Sequence, residues 1–329
     1  MSWSKDLREQ GASAVFDNEV PPYDAPDFIE LHDIPPQIVE ADGSKTWVMR
    51  GQNFAMTYTE AKRGARLERR NHESEYMVVL PEAIRPEDPQ ADADIVANAD
   101  SVRAPSASLS IVPPGDSAVT MLDDGIVVRI FGPDAADLLK LAANAASYAT
   151  PHVRVAPHES LPEPAGGYAL RCYPFSEHPP VWHPSGQPER TRAEDTRYGR
   201  YFQSTNLMVH LQARVAPRDE RRTFPHSTPD YEHASLQLVG SRVHHVRTPW
   251  VPDTHQWRDD IHYNLPSPGF LVFPPGVIHT TQSVSPISSS ICVYSPPRAS
   301  LSKPNRLINS DDYPMKEADS NSLPQASWA

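Results

Sequence analysis

Proline constrains this chain more than any other residue. It occurs 36 times in 329 residues, against only 14 glycines, which is about twice its ordinary share of roughly 5%. A residue that locks φ and has no N–H to donate breaks helices and favours short strands joined by stiff turns. Between the prolines, apolar and polar residues alternate in clusters. TWVMRG, NFAMTYTEA, EYMVVLPE, ASLSIVPPG and GIVVRIFG come first; TNLMVHLQARV, HASLQLVG, SRVHHVRTPW, GFLVFPPGVIHTTQSV and SSSICVYSPP follow. A period of two is the mark of the half-buried strand, so an all-β molecule is predicted. One helix is predicted over residues 133–148, PDAADLLKLAANAASY. Asp134 caps it or lies in its first turn, and Leu138, Leu139, Leu141 and Ala142 form its apolar face.

Composition narrows the partners. A net charge of -12 argues against nucleic acid, which selects for basic stripes. No apolar run approaches the roughly 20 residues of a membrane helix. The opening MSWSKDLREQ has no signal-peptide core. Cys172 and Cys292 support neither a disulfide framework nor a paired-thiolate metal site. No P-loop, dinucleotide fingerprint, nucleophile elbow or C-x-x-C is present. The expectation is a soluble, cytoplasmic protein with a small-molecule substrate and neither nucleic acid nor membrane as partner. The long arm and exposed strand edges point to a homodimer.

The chain divides into an N-terminal arm (1–45), a first strand-rich domain (46–150), a second (151–300) and a polar tail (301–329). The two domains carry matching marks. Glu75 opens EYMVVLPE and His233 opens HASLQLVG; Pro113-x-Gly115 follows the one and Pro274-x-Gly276 the other at nearly the same interval. A duplicated β-domain accounts for both marks.

Two segments of the second domain carry the chemistry. FPHSTPDYEHASLQLVG places His226, Glu232 and His233 before a strand, and PGFLVFPPGVIHT places His279 just past a Pro-Pro-Gly turn. An ion with open positions needs three or four convergent donors. His226, His233 and His279 give a three-imidazole face; His226, Glu232 and His279 give two imidazoles and a carboxylate. Neighbours on a strand face opposite ways, so only one of Glu232 and His233 points inward. Further candidates are His244 on SRVHHVRTPW, and Asp260 and His262 in WRDDIHY, a loop expected to reach over a barrel mouth as acid and base. Gln237, two strand steps from His233, is a candidate for positioning substrate.

At this point the chain resembles the cupin superfamily, in its two-domain bicupin form. Gly269, Pro274-Pro275-Gly276 and His279 follow the second cupin signature, one residue short between glycine and proline, with Ser283 at its final asparagine position. The first signature is eroded. His226 stands for its first histidine, Thr228 occupies the second, and His233 falls in the glutamate position beside Glu232. YEHASLQLVG is also similar to the metal strand of bicupin aminohydrolases. In the first domain, Glu75 takes the glutamate position. Glu68 and Arg70, or Arg69 and Asn71, take the histidine positions, and Ala118 takes the late one. The resemblance implies two jelly-roll-type β-barrels with the N-terminal arm and the connecting helix. It implies a first barrel without metal and a second holding one divalent ion: Fe(II) first, with Zn, Mn, Ni or Cu as alternatives. It implies a non-heme iron dioxygenase acting on a small organic substrate, and plentiful arginines and aromatics (Arg200, Tyr201, Tyr231, Trp250) suit a carboxylated or aromatic one. A redox-neutral hydrolase, isomerase or decarboxylase is the alternative, and a non-catalytic binding bicupin the third reading. Thr228 then serves to hold a metal-bound water or the substrate.

Overall fold

The computed structural model describes residues 21–182, 198–298 and 307–314. Antiparallel strands build two barrels, each a seven-stranded sheet facing a smaller one. In the first barrel the large sheet runs Arg171–Pro174, Ser108–Val112, Tyr76–Leu80, Gly125–Phe131, Ala55–Ala61, Lys45–Arg50, Ile38–Val39. Its small sheet runs Arg66–His72, Gly115–Met121, Ala93–Ala97, Asp100–Ala104. In the second barrel the large sheet runs Asp27–Glu30, Gly269–Phe273, His233–Val239, Ser288–Tyr294, Met208–Val215, Tyr198–Gln203, Val181–Trp182. The small sheet is Ile261–Pro266, Ser241–Arg247, Ile278–Ser283. No helix among the described residues is long and apolar enough to cross a membrane.

The large sheets have the same strand order, and the register refines the internal match. Tyr76 stands opposite Val112, and Arg69 opposite Ser117. In the second barrel His233 stands opposite Phe273, and His226 opposite His279. The counterpart of His233 is therefore Tyr76 rather than Glu75, and that of His279 is Ser117 rather than Ala118. A bulge between Gly115 and Ser117 moves the second mark by one residue. Because side chains alternate, a slip of one residue exchanges the faces of a strand. Glu75 is instead the counterpart of Glu232.

The barrels exchange edge strands. Asp27–Glu30, from the arm, pairs with Gly269–Phe273 of the second barrel, Asp27 opposite Val272. Arg171–Pro174, which the sequence assigns to the second domain, pairs with Ser108–Val112 of the first, Cys172 opposite Ser110. Between the barrels the two large sheets pack face to face. Met56, Met77, Val128 and Ile130 meet Phe202, Val209, Leu236, Phe270 and Val293 in one buried cluster. The strands are thus buried on both faces, and their outer and inner residues serve different cores.

Those inner cores differ in kind. The first barrel is filled with hydrocarbon, among it Val78, Ile95, Val119, Met121, Val127 and Phe131. The second turns His233, Ser235, Gln237, Arg242, His244, His279, Ser288 and Ser290 toward its interior, all but His233 buried. A polar interior of this kind holds its hydrogen-bonding groups ready for something other than packing.

The predicted helix is shorter than its pattern. Ala136–Leu141 is α-helical, and Ala145–Tyr148 is a separate 3-10 turn. Tertiary contacts interrupt it. The Ala143 N–H donates to Val48 O, and Asn144 bonds the backbone of Arg50 in both directions. Asp134 neither caps nor enters it; its carboxylate accepts from Ser74. Of the polar tail, Leu307 and Tyr313 are buried against the fold; residues 301–306 and 315–329 lie outside the described residues, as do 1–20 of the arm.

Candidate metal centre

Alternation on His233–Val239 sends Ala234 and Leu236 into the inter-barrel core and leaves His233, Ser235 and Gln237 inside the barrel. The Pro-Pro-Gly turn aligns the facing strand. Gly276 holds φ at +79°, which side chains rarely adopt. Its N–H donates to Thr228 O at 2.7 Å, and the Val277 N–H turns back to Pro274 O. His279 then emerges inside the barrel, 1% exposed. Two backbone hydrogen bonds of 3.0 and 2.8 Å pair it with His226 at the rim.

The result is three imidazoles whose ligand atoms all lie within 4.8 Å of one another. His233 Nδ1 and His279 Nε2 are 3.0 Å apart. Two nitrogens on one ion at about 2.1 Å are themselves separated by about 3.0–3.4 Å, so this spacing fits a shared ion. The Nδ1 atoms of His226 and His279 each lie 3.0 Å from a carbonyl, of Phe224 and Val277. A carbonyl only accepts, so both Nδ1 atoms carry hydrogen and both Nε2 atoms offer a lone pair. Burial, helped by the neighbouring imidazoles, lowers the pKa of His233 to about 3 and that of His279 well below the ordinary value. Burial lowers His226 as well. At neutral pH the donors are uncharged, as ligation requires.

Glu232 does not join them. Its carboxylate accepts from Tyr148 Oη at 2.7 Å and from the Gln52 N–H at 2.6 Å, and lies 3.3 Å from His152 Nδ1. It is spent across the barrel interface. Thr228 is likewise committed, donating to Tyr231 O at 2.5 Å in the turn before the strand. Gln237 lies on the inner face, but its amide donates to Val239 O of its own strand.

The strand Ser241–Arg247 divides the remaining candidates. Arg242, His244 and Val246 are buried, whereas Val243, His245 and Arg247 face outward. His244 therefore enters the cavity; its Nδ1 meets Thr281 Oγ1 at 3.0 Å, and its buried Nε2 has no partner among the described residues. Burial, with Arg242 beside it, holds its pKa well below the usual value. Asp260 and His262 are corrected to the outside. Asp260 pairs with Arg247, and His262 Nδ1 lies 2.7 Å from His245 Nδ1 on the exposed face. Asp260 and His262 both line a second, more open pocket with Pro225, His245, Ile278 and His279.

Sequence reasoning passed over Arg242, which is 2% exposed. It donates to Ser288 Oγ, Ser290 Oγ and Gln212 Oε1, all neutral acceptors, and its buried Nη2 has no partner among the described residues. The signal for it was present: Arg242 is two residues before His244 on the same strand and must share its face. Burial pulls its pKa down to about 10, which leaves it protonated at neutral pH. Arg242, His244, Gln212, Phe224 and Phe273 line, with His226 and His233, a cavity of about 80 Å³.

No protein-family model matches this sequence, and no curated protein is similar to it by sequence. Solved structures are similar in fold. An oxalate decarboxylase structure covers 86% of this chain and 79% of its own at 11% identity, with a TM-score of 0.52. A variant of the Bacillus subtilis oxalate decarboxylase covers 85% and 79% at 11% identity, TM-score 0.52. A cupin 2 conserved barrel domain protein from Leptotrichia buccalis covers 82% and 96% at 7% identity, TM-score 0.44. The chain has the cupin fold in its two-barrel form, and at these identities the likeness extends to the fold alone.

Proposed function

We propose that this protein is a metal-dependent enzyme acting on a small organic anion, with one divalent ion held by His226, His233 and His279. The observation that carries this reading is the convergence of three neutral imidazoles beside a buried, protonated Arg242 that meets only neutral acceptors among the described residues. Bound there, the ion supplies Lewis acidity and, as Fe(II), redox chemistry with dioxygen. Arg242 binds the substrate carboxylate through its free Nη2. His244 offers a neutral imidazole nitrogen to a proton in transit. Phe273, buried against the rings of His233 and His279, gives the site an apolar wall. The cavity beside Arg242 is small, about 80 Å³, and suits a short substrate. The reaction assigned first is that of a non-heme iron dioxygenase.

Arg242 and the short cavity also favour a second reading, redox-neutral cleavage of a short carboxylic acid. The fold's likeness to oxalate decarboxylases lends that reading support. Oxygen-electrode measurements on metal-reconstituted protein, with a panel of short carboxylates, separate the two: the dioxygenase consumes oxygen with substrate and the redox-neutral enzyme consumes none. His279→Ala removes the central donor, and its metal content by elemental analysis is expected to fall from one ion per chain to near zero. Full occupancy in that variant overturns the site. A wild-type chain that takes up no metal overturns both enzymes.

A further inference from the structure

The first barrel repeats the geometry of the second with different polar groups. Arg69, Tyr76 and Ser117 stand where the second barrel has His226, His233 and His279. Tyr76 Oη and Ser117 Oγ are 3.0 Å apart, the same separation as His233 Nδ1 and His279 Nε2. Arg129, opposite Val78, matches Cys292, opposite Ser235. Four polar or ionisable positions of one interior have thus become two guanidinium groups and two hydroxyls in the other.

The two arginines are not treated alike. Arg69 reaches Asp137 with both terminal nitrogens, at 2.7 and 2.9 Å. Arg129 has no carboxylate and no hydrogen bond among the described residues. Its Nε and Nη1 are buried without a partner among the described residues, and its Cζ lies 5.4 Å from the centre of the Phe131 ring. Thr57, directly across the ladder from Arg129, also keeps a buried hydroxyl without a partner. Around them lie Tyr76, Val78, Val127 and Phe131, in an otherwise hydrocarbon core. Burial lowers the Arg129 pKa only to about 10, so the group stays charged at neutral pH. A buried cation facing hydrocarbon without a counter-charge is among the costliest arrangements in a protein. Here one anion of single charge would complete the balance.

We propose that the interior of the first barrel binds one small monovalent anion, a halide or a short carboxylate, through Arg129 with Thr57 beside it. Arg129 keeps 6% of its surface accessible. Nε, Nη1 and the Thr57 hydroxyl are themselves closed to solvent, so an anion enters only as the side chains around them give way, and the hydrocarbon admits nothing large. Asp137 is already committed to Arg69, and the hydroxyls of Tyr76 and Ser117 to each other.

The test is thermal unfolding of the full chain in sodium gluconate at fixed ionic strength, with chloride or formate replacing gluconate stepwise. Wild type is expected to show a saturable rise in Tm of several degrees. A response to chloride identifies a halide site, and one confined to formate a carboxylate site. Arg129→Met keeps the side-chain volume and removes the charge. It is expected to raise Tm in gluconate and to lose the anion response completely, whereas His279→Ala keeps it. No saturable response in wild type, or an undiminished response in Arg129→Met, overturns the site. Should Arg129→Met fail to fold, bromide-soaked wild-type crystals decide. An anomalous peak beside the Arg129 guanidinium supports the assignment, and its absence overturns it.

Discussion

Glu232 and His233 sit side by side and serve opposite sides of one strand. His233 faces the cavity, and Glu232 locks the second barrel to the first through Tyr148 and the Gln52 N–H. Glu75 makes the reciprocal lock, accepting from Thr205 and from Tyr313 Oη. Glu232→Gln is therefore expected to cost about 1–3 kcal/mol of stability while leaving metal content unchanged. Loss of metal in that variant would return the carboxylate to the ligand set. His152, in contact with Glu232, adds a pH signature. Burial works against its charge, but the carboxylate 3.3 Å away outweighs it, and the folded-state pKa is raised. A raised pKa stabilises fully below the unfolded value of about 6.5 and is lost as pH rises through the folded one. The stability gap between wild type and His152→Gln, from urea unfolding across pH, should be widest in acid and close toward alkaline pH. The three imidazoles were legible because turn and spacing mark them. Arg242 was passed over because arginine is usually a surface residue, although strand parity alone places it beside His244.

At the scale of elements, turn and strand were readable and the helix was not. Alternation and proline punctuation are local, so the strands around His233 and His279 fall where the pattern puts them. The helix has a sound apolar face, yet Ala143 and Asn144 leave it to bond Val48 and Arg50 on a strand far away in sequence. No local pattern records such a partner. The setting of WRDDIHY is equally non-local. Pairing of His245 with His262 and of Arg247 with Asp260 is decided by which face the partner strand turns outward. The Pro-Pro-Gly turn makes a direct prediction. An added Cβ at Gly276 sits at positive φ and comes 2.5 Å from Tyr23 Cε1. Gly276→Ala should cost about 1–2 kcal/mol through the left-handed backbone alone. Because the turn sets the position of His279, metal affinity measured by competition with a chelator should weaken with it.

For the molecule as a whole, the two barrels are halves of one folding unit. Duplication was visible in the sequence to within a residue, and that residue decides which side chains face inward. The exchange of edge strands was not visible, since a short strand such as DFIE carries no address for its partner. Residues 1–150 and 151–329 produced separately should each expose part of the inter-barrel core and an unpaired edge. Each half alone is expected to aggregate or to melt without cooperativity in calorimetry, while the two co-expressed give one transition. Two sharp independent transitions from the separate halves would contradict this. The exchange also sets an order of events during synthesis. Asp27–Glu30 leaves the ribosome early, but its partner Gly269–Phe273 is made about 240 residues later. At roughly 5–20 residues per second, that strand waits about 12–50 s with its backbone unpaired. A nascent chain in that interval is a natural client for chaperones, and slowing translation should raise its losses more than those of a protein whose strands close in the order they are made.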